Sequence, residues 1–235
     1  MTKPAADTDA RCYALVPCAG FGERAGAGGP KQYRQVAGRS VVAHTLAALA
    51  RVPRIERTLV VLSAGDCDFA ASAPDFAGWT ERCGGATRAA SVAAGLTALA
   101  DHGVRARDWV LVHDAARCLV QAAAVDRLID ACIVDPVGGL LALPLSDTLK
   151  QAGDGKRVAA TLDRHGKWIA QTPQMFRLGM LQLALARAGE GITDEASAIE
   201  ALGHAPRLVL GEPDNFKLTW PADFAFAERL LKDAP

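Results

Sequence analysis

Short apolar runs alternate along the chain with segments in which apolar residues recur at helical spacing. The apolar runs predict β-strands at residues 12–17, 58–63, 109–114, 138–144 and 207–211. Helical spacing covers residues 40–52, 88–100 and 122–134, a further helix opens at 193–195, and a last one runs from Pro221 to Lys232. Nearly continuous apolar strands are typical of a parallel sheet covered on both faces. The alternation therefore predicts a doubly wound α/β sheet with helices on both faces.

One segment, residues 146–172, departs from this alternation. It is polar and rich in turns, with Gly153-Asp154-Gly155 and His165-Gly166 as turn signals, so it predicts one or two β-hairpins that project from the sheet. A two-stranded ribbon is only marginally stable by itself. We therefore expect this arm to pack on something, and a second subunit is the simplest candidate. No repeat or linker divides the rest, so residues 1–235 are expected to form a single domain that carries the arm.

Composition narrows the class of protein. Half of the 235 residues are hydrophobic, and the 26 acidic and 26 basic residues give a formal net charge of zero. Such a chain can bury a sizeable core. Because duplex nucleic-acid binders normally carry a basic surplus, a nucleic-acid partner is not expected. The most apolar later run, residues 137–145, is too short and too broken to span a bilayer, so no membrane partner is expected.

The N-terminus and the cysteines indicate a compartment. Residues 1–17 contain acids and lack the apolar core of a signal peptide. The cysteines, at positions 12, 18, 67, 83, 118 and 132, show no C-x-x-C pair and no histidine-rich neighbourhood. This pattern favours reduced, mostly buried thiols over a metal site. We therefore expect a soluble cytoplasmic protein.

The loop after the first predicted strand, residues 17–33, is rich in glycine. Its Gly20-x-Gly22-x-x-Ala25 spacing matches the dinucleotide fingerprint, but the glycines and Pro30 that follow disfavour the helix that this motif requires. The acid expected about 20 residues further on is also missing. Lys31 is followed by Gln32 rather than by Ser or Thr, so the loop is not a P-loop either. A redox dehydrogenase is therefore unfavoured.

What remains is an extended loop whose free N–H groups can wrap phosphate oxygens. Arg24 would add a fork-shaped charge that suits phosphate, and Lys31 a mobile point charge. The alternative is an ordinary flexible surface loop with two solvated cations. The loop alone leaves both interpretations open.

Motifs in several places of the chain carry a family resemblance. They are PCAGFGER (17–24) with PKQ (30–32), GGATRAASV (84–92), VHDAAR (112–117), DTLK (147–150), QTPQMF (171–176), TDEASAIE (193–200) and NFKLTWPAD (215–223). Together, from about residue 11 to 233, they resemble the 2-C-methyl-D-erythritol 4-phosphate cytidylyltransferases of isoprenoid biosynthesis. The resemblance implies a Rossmann-like nucleotidyltransferase domain and a homodimer made through the arm. It also implies transfer of CMP from CTP to a sugar-alcohol phosphate, with release of pyrophosphate.

Three positions depart from the family pattern. Cys18 replaces an alanine whose backbone lines the cytosine pocket, Ala25 stands where methionine is common, and Cys118 replaces the usual proline after HDAAR. None of the three changes removes a charged catalytic position. The predicted chemistry is therefore retained.

In the implied reaction a phosphate monoester attacks the α-phosphorus of CTP. The nucleophile is already an anion, so the obstacle is bringing two anions together and stabilising the transferring phosphoryl group. By the resemblance, Arg24 and Lys31 stabilise the crowded phosphorus, and Lys217 is a further cation near the reacting phosphates. Spacing alone would favour a solvated lysine at position 217.

The predicted nucleotide contacts are Cys18, Ala19, Gly20, Gly22, Gly85, Arg88, Ser91 and Asp114. Arg88 could contact a phosphate or only hold its loop. Asp114 ends a strand at the edge where open α/β sheets bind ligands, so it would suit the ribose, Mg²⁺ or both, although it could instead cap a helix. A divalent cation would offset the triphosphate charge, and CTP itself could supply most of its ligands. Ser91 could read the cytosine, or bond its own helix backbone.

The acceptor contacts implied by the resemblance are Thr148, Arg164 and Thr172, the first two of which lie on the arm. Arg117 is expected either to order the site or to bind the acceptor. His113 is expected to pack beside the strand end without a catalytic role. The alternatives are a sister enzyme that uses another alditol phosphate, such as ribitol 5-phosphate, and a nucleotide-binding protein that has lost catalysis. A fused second enzyme is not expected, since little chain lies outside the resemblance.

Overall fold

The structure is a computed structural model that describes residues 9–20, 29–187, 189 and 191–233. Its strands are β1 (Cys12–Pro17), β2 (Gln35–Val36), β3 (Arg39–Ser40), β4 (Ile55–Val61), β5 (Trp79–Glu81), β6 (Trp109–Val112), β7 (Gly138–Pro144), β8 (Leu149–Ala152), β9 (Val158–Leu162), β10 (Trp168–Arg177) and β11 (Arg207–Leu210). Its helices are α1 (Val41–Ala50), α2 (Phe69–Ser72), α3 (Arg88–Asp101), α4 (Ala122–Ile133), α5 (Leu178–Arg187), α6 (Glu195–Ala201) and α7 (Pro221–Asp233). Single 3₁₀ turns lie at Lys31–Tyr33 and Asp154–Lys156.

A seven-stranded sheet in the order β11-β7-β10-β6-β1-β4-β5 forms the centre of the molecule. Neighbouring strands are parallel except at β10, which runs antiparallel to both β6 and β7. The chain leaves β1 toward β4 and β5, then returns to place β6 on the other side of β1. The carboxyl ends of β1 and β6 therefore flank the switch point, where sheets of this kind bind ligands.

Alternation along β1 divides the core between the two faces of the sheet. Tyr13 and Leu15 pack with α3, α5 and α6, whereas Ala14 and Val16 pack with α1. Further along the sheet, α4 covers that second face. The predicted α/β sheet with helices on both faces is confirmed.

Local capping residues start the helices at the predicted places. The Ser40 hydroxyl accepts from the Ala43 N–H at the start of α1, and the Thr87 hydroxyl accepts from the Ala90 N–H at the start of α3. Such side chains satisfy backbone donors that have no partner within the helix. The capping residue Thr87 therefore fixes the start of α3 and, with it, the position from which the Arg88 side chain extends.

Strand β10 was not predicted, and the last residues of the predicted arm, 168–172, belong to it. Gln171, Thr172 and Gln174 are polar yet buried in this strand, so its sequence lacks the apolar pattern of a central strand. Pro173 cannot donate to a ladder, and the pairing of β10 with β7 is irregular between Ala170 and Gln174. Tertiary contacts therefore form this strand against its local sequence signal.

The remainder of the arm contains β8 and β9, which pair with each other in a separate two-stranded sheet. Most of its side chains are exposed, including Val158 and Leu162, and Trp168 and Ile169 at the start of β10 are exposed as well. Among the described residues, no helix is long and apolar enough to cross a membrane.

We expect Phe176→Ala to lower the free energy of unfolding by about 3–5 kcal/mol, because Phe176 is fully buried in β10 and its truncation leaves a cavity. The matched control is Phe226→Ala on α7, where the ring is 43% exposed and stacks on Phe216. That change should cost no more than about 1.5 kcal/mol, the contribution of one aromatic pair. Urea denaturation measures both, and equal losses would contradict the central position of β10.

Candidate functional site

A cavity of about 560 Å³ opens at the carboxyl ends of β1 and β6. It is lined by Pro17, Cys18, Ala19, Gly20, Lys31, Gln32, Gly85, Ala86, Thr87, Arg88, Ser91, Asp114, Ala115, Ala116 and Lys217. A larger hollow of about 700 Å³ lies against α1 and the start of β4, and contains none of the predicted site residues. The cavity at the switch point is therefore the candidate site.

Hydrogen bonds fix both ends of the described part of the glycine-rich loop. The Cys18 N–H donates to the Val61 carbonyl at 2.8 Å. The buried Gln32 amide donates to the carbonyls of Cys18 and Gly20, both at 3.0 Å. In the sequence Gln32 stands out only as part of the PKQ motif, and nothing there predicts these two hydrogen bonds. The predicted contacts of Gly22 and Arg24 fall in residues 21–28, outside the described part of the chain.

Lys31 connects two loops at the mouth of the cavity. Its Nζ donates to the carbonyl oxygen of Leu218 at 2.9 Å. Leu218 directly follows Lys217, whose Nζ lies 2.9 Å from Asp114 Oδ2. Two of the predicted catalytic lysines therefore come from distant parts of the sequence and line one cavity.

The Gly85 turn and the start of α3 form the opposite wall. The Gly85 N–H donates to the Ser91 hydroxyl oxygen at 3.1 Å, and that hydroxyl donates to the Thr87 carbonyl at 3.0 Å. The backbone-bonded alternative for Ser91 is thus present. Its predicted contact with the cytosine stays a prediction.

Asp114, which follows His113 and lies two residues past the end of β6, forms the electrostatic centre of the cavity. Its Oδ1 accepts from Arg88 Nε at 2.8 Å, its Oδ2 accepts from Lys217 Nζ at 2.9 Å, and Arg117 Nε lies 3.6 Å from Oδ2. Burial opposes ionisation of this carboxyl group, but the three cations outweigh burial and hold its pKa well below the usual range. Asp114 therefore organises cations here.

Arg88 is shared between two carboxylates. Its terminal nitrogens donate to the two oxygens of buried Glu195 at 2.6 and 3.0 Å, while its Nε donates to Asp114. Burial disfavours the charged guanidinium, yet Glu195 and Asp114 raise the pKa of Arg88 above its usual value. Glu195 was not predicted as a site residue, because an acid in the first turn of a helix is common and carries no signal of a distant partner.

Thr172 and His113 hold the turn behind Asp114. The Thr172 hydroxyl oxygen accepts from the Asp114 N–H at 3.0 Å and lies 2.9 Å from His113 Nδ1, while His113 Nε2 lies 3.1 Å from the Arg117 carbonyl. Burial lowers the pKa of His113 to about 4, so its ring is neutral at pH 7. Because the Arg117 carbonyl can only accept, Nε2 carries the proton and Thr172 donates to Nδ1.

The predicted acceptor residues fall in two groups. Thr172 is buried and Arg117 is mostly so, and Arg117 donates to the Asn215 carbonyl at 2.7 Å. Burial lowers the pKa of Arg117. Thr148 and Arg164 are exposed on the arm and do not line the cavity of this chain. Contact of any of the four with an acceptor stays a prediction.

The donor set does not fit a protein-held Mg²⁺. Asp114 is the only acid among the described residues that line the cavity, and cations occupy both of its oxygens. Nowhere in the described ranges do three or more His, Cys, Asp or Glu side chains cluster as a metal site. Mg²⁺ prefers carboxylate and phosphate oxygens, and the described protein atoms offer too few of these.

Comparison with known proteins decides the family. The model of the 2-C-methyl-D-erythritol 4-phosphate cytidylyltransferase (IspD) family matches residues 12–233. The chain belongs to this family. It is 55% identical to the cytidylyltransferase of that name from Laribacter hongkongensis, over 94% of this chain and 96% of the relative.

The family also includes longer relatives. The chain is 59% identical to a bifunctional enzyme IspD/IspF from Albidiferax ferrireducens, over 97% of this chain and 54% of the relative. It thus spans about half the length of that protein. Of the solved structures, a 4-diphosphocytidyl-2C-methyl-D-erythritol synthase matches with a TM-score of 0.85 and 40% identity, over 94% of this chain and 99% of the other.

A second solved structure, a 2-C-methyl-D-erythritol 4-phosphate cytidylyltransferase from Thermus thermophilus, matches with a TM-score of 0.77 and 34% identity over 94% of this chain and 99% of the other. Family membership makes the chain a nucleotidyltransferase. The cation-lined cavity at the sheet edge is thus the candidate active site of a cytidylyltransferase.

For this cytidylyltransferase we expect His113→Gln to reduce the decrease in the free energy of unfolding that occurs as the pH falls. The unfolded histidine binds a proton below about pH 6.5, whereas the folded one does not until about pH 4. The stability that this group contributes is complete above pH 6.5 and falls by about 3 kcal/mol as the pH drops to 4. Chemical denaturation from pH 7 to 4 measures the slope in both proteins, and parallel slopes would contradict a neutral buried His113.

Proposed function

We propose that this chain transfers CMP from CTP to 2-C-methyl-D-erythritol 4-phosphate, giving 4-diphosphocytidyl-2-C-methyl-D-erythritol and pyrophosphate in isoprenoid precursor biosynthesis. The observation that carries the proposal is the family match over residues 12–233. The cavity at the switch point supports it, because lysine and arginine side chains converge there around one carboxylate. That charge distribution suits a triphosphate and a phosphate monoester.

The reaction needs positioning of anions more than proton transfer. An oxygen of the acceptor's phosphate bonds to the α-phosphorus of CTP, and the bond from that phosphorus to the pyrophosphate oxygen breaks. Lys31 and Lys217 stabilise the charge that gathers on the transferring phosphoryl group, and Arg24 acts with them. His113 is buried and neutral, so it is not the base, and none is required.

Asp114 keeps this cationic site organised while the nucleotide occupies it. The carboxylate has lone pairs beyond those that Arg88 and Lys217 use, and these can accept from a ribose hydroxyl. The loop at Cys18, Ala19 and Gly20 meets the nucleotide from the other side, together with the Gly85 turn and Ser91. Mg²⁺ enters on the triphosphate as part of the substrate, because the cavity offers a single carboxylate.

The arm completes the acceptor site in a homodimer. Exposed Val158, Ile169 and Trp168 form apolar surface that a second subunit would cover. Arg164 and Thr148 are exposed on the same arm, where a guanidinium fork suits a phosphate monoester. A cytoplasmic location agrees with the six cysteines, each within the described residues and each a free thiol.

Replacing Lys31 with alanine should lower turnover by about 10²–10³, the usual loss for a preorganised charge-stabilising donor. Pyrophosphate release from CTP and Mg²⁺ with 2-C-methyl-D-erythritol 4-phosphate measures it. Lys232→Ala is the matched control, since Lys232 is exposed on α7 and pairs only with Glu228 among its described neighbours. Normal turnover of Lys31→Ala would contradict the role of the loop.

The same assay separates the alternatives. Release with ribitol 5-phosphate alone would keep the CTP chemistry and overturn the proposed acceptor. CTP binding without pyrophosphate release in the presence of any alditol phosphate would instead establish a nucleotide-binding protein.

Arg164→Ala should raise the KM for the acceptor roughly tenfold or more, because a charged hydrogen bond contributes about 1.5–3 kcal/mol. Arg157→Ala, an exposed arginine of the same arm, is the control. Mixing Lys31→Ala with Arg164→Ala subunits gives heterodimers with one intact site if the arm serves its partner. Activity should then recover to about a quarter of the wild-type value after equal mixing. Failure to recover would show that the arm serves its own subunit.

A further inference from the structure

The start of α6 is fixed firmly against the central sheet. Its capping residue Asp194 accepts from the Ser197 N–H, and Ser197 closes the reciprocal bond. From β10, the Gln174 amide donates to Asp194 Oδ2 at 2.8 Å and accepts from the Ala196 N–H at 2.7 Å. Glu195 lies between these anchored residues, so its backbone has little freedom.

The Glu195 side chain is 1% exposed, and both of its oxygens accept from the two terminal nitrogens of Arg88. A carboxylate that takes both arms of a guanidinium also sets the plane of that guanidinium. The remaining nitrogen, Nε, points at Asp114 Oδ1 at 2.8 Å. The two hydrogen bonds to Glu195 thus determine how the Arg88 guanidinium is oriented toward Asp114.

The position of Arg88 in turn affects the position of Lys217. With Oδ1 taken by Arg88, Asp114 presents Oδ2 to Lys217 Nζ at 2.9 Å. Glu195, Arg88, Asp114 and Lys217 therefore form one chain of ion pairs, which runs from a buried helix end to the cavity. Glu195 does not line the cavity, and its hydrogen bonds reach the lining residues through Arg88.

We propose that Glu195 is a positioning residue for cytidylyl transfer, which orients Arg88 and, through it, Asp114 and Lys217. The inference rests on the proposed function for its effect on turnover. It also predicts a change in the chemical reactivity of Lys217, which can be measured without turnover. Glutamine at this position would keep the shape, but its NH₂ group would face an Arg88 donor, so the guanidinium would have to turn.

The first test compares Glu195→Gln with Glu200→Gln, an exposed glutamate of the same helix. Glu195→Gln should lower kcat about 10- to 100-fold, as loss of outer contacts commonly does, whereas Glu200→Gln should match the wild type. Glu195→Asp keeps the charge at shorter reach and should fall between them. Melting curves check that each variant is folded, and the Asp variant serves if the Gln variant is not.

A double-variant cycle separates positioning from a purely structural role. If Glu195 acts through Arg88, adding Glu195→Gln to Arg88→Ala should cause no further loss of kcat/KM, because the route to Asp114 is already broken. Losses that multiply in the double variant would overturn the inference. Wild-type kcat in Glu195→Gln would overturn it as well.

Chemical labelling of Lys217 gives a readout that needs no activity. The ion pair with Asp114 occupies the Lys217 ammonium group and limits the access of a reagent to it, so loss of this contact in Glu195→Gln should raise acylation of Lys217 roughly threefold or more relative to Lys232. Unchanged labelling would overturn the inference. A wild-type enzyme that releases no pyrophosphate would overturn the proposed function alone, since the labelling result stands separately.

Discussion

The ion pairs of Asp114 with Arg88 and Lys217 set the geometry of the whole cavity. A carboxyl group in the buried turn that follows β6 would tend to lose its charge without these cations, because burial favours the neutral form. The two cations would equally repel each other in the absence of a shared anion. One negative charge therefore lets positive groups from separate parts of the chain stand within hydrogen-bond distance of one carboxylate. An incoming triphosphate meets these groups already in place.

The doubly wound sheet brings these groups together through β10, its single antiparallel strand. Thr172 of β10 accepts from the Asp114 N–H, and Gln174 of the same strand holds the first turn of α6. The two side chains lie in the sheet interior because each satisfies backbone groups of a neighbouring segment. The polar residues that make β10 unlike a core strand are therefore those that hold the two segments carrying Asp114 and Glu195, the two carboxylates of the ion-pair chain.

Sequence alone located what depends on local signals. The bounds of β1 and β7 were predicted as observed from their apolar runs. Lys31, Asp114 and Lys217 line one cavity, and for Lys217 it was the family resemblance, not its spacing, that predicted a site residue. Strand β10 was missed because its residues owe their burial to distant partners. Glu195 was missed for the same reason: it is paired with a residue 107 positions away, and an acid in a first helical turn carries no sign of such a partner.

Two buried carboxylates in a site for anions call for a physical reason, since each weakens the attraction for CTP. Binding energy that is equal in the ground state and the transition state does not speed the chemical step. Cations held at fixed positions act most strongly where charge develops, and need little reorganisation when it does. Asp114 and Glu195 therefore weaken the binding of CTP somewhat, but they hold the cations at fixed positions. This arrangement favours turnover. A loosely held lysine would move with the charge of the bound substrate, whereas a fixed lysine already lies at the position that the transferring phosphoryl group reaches.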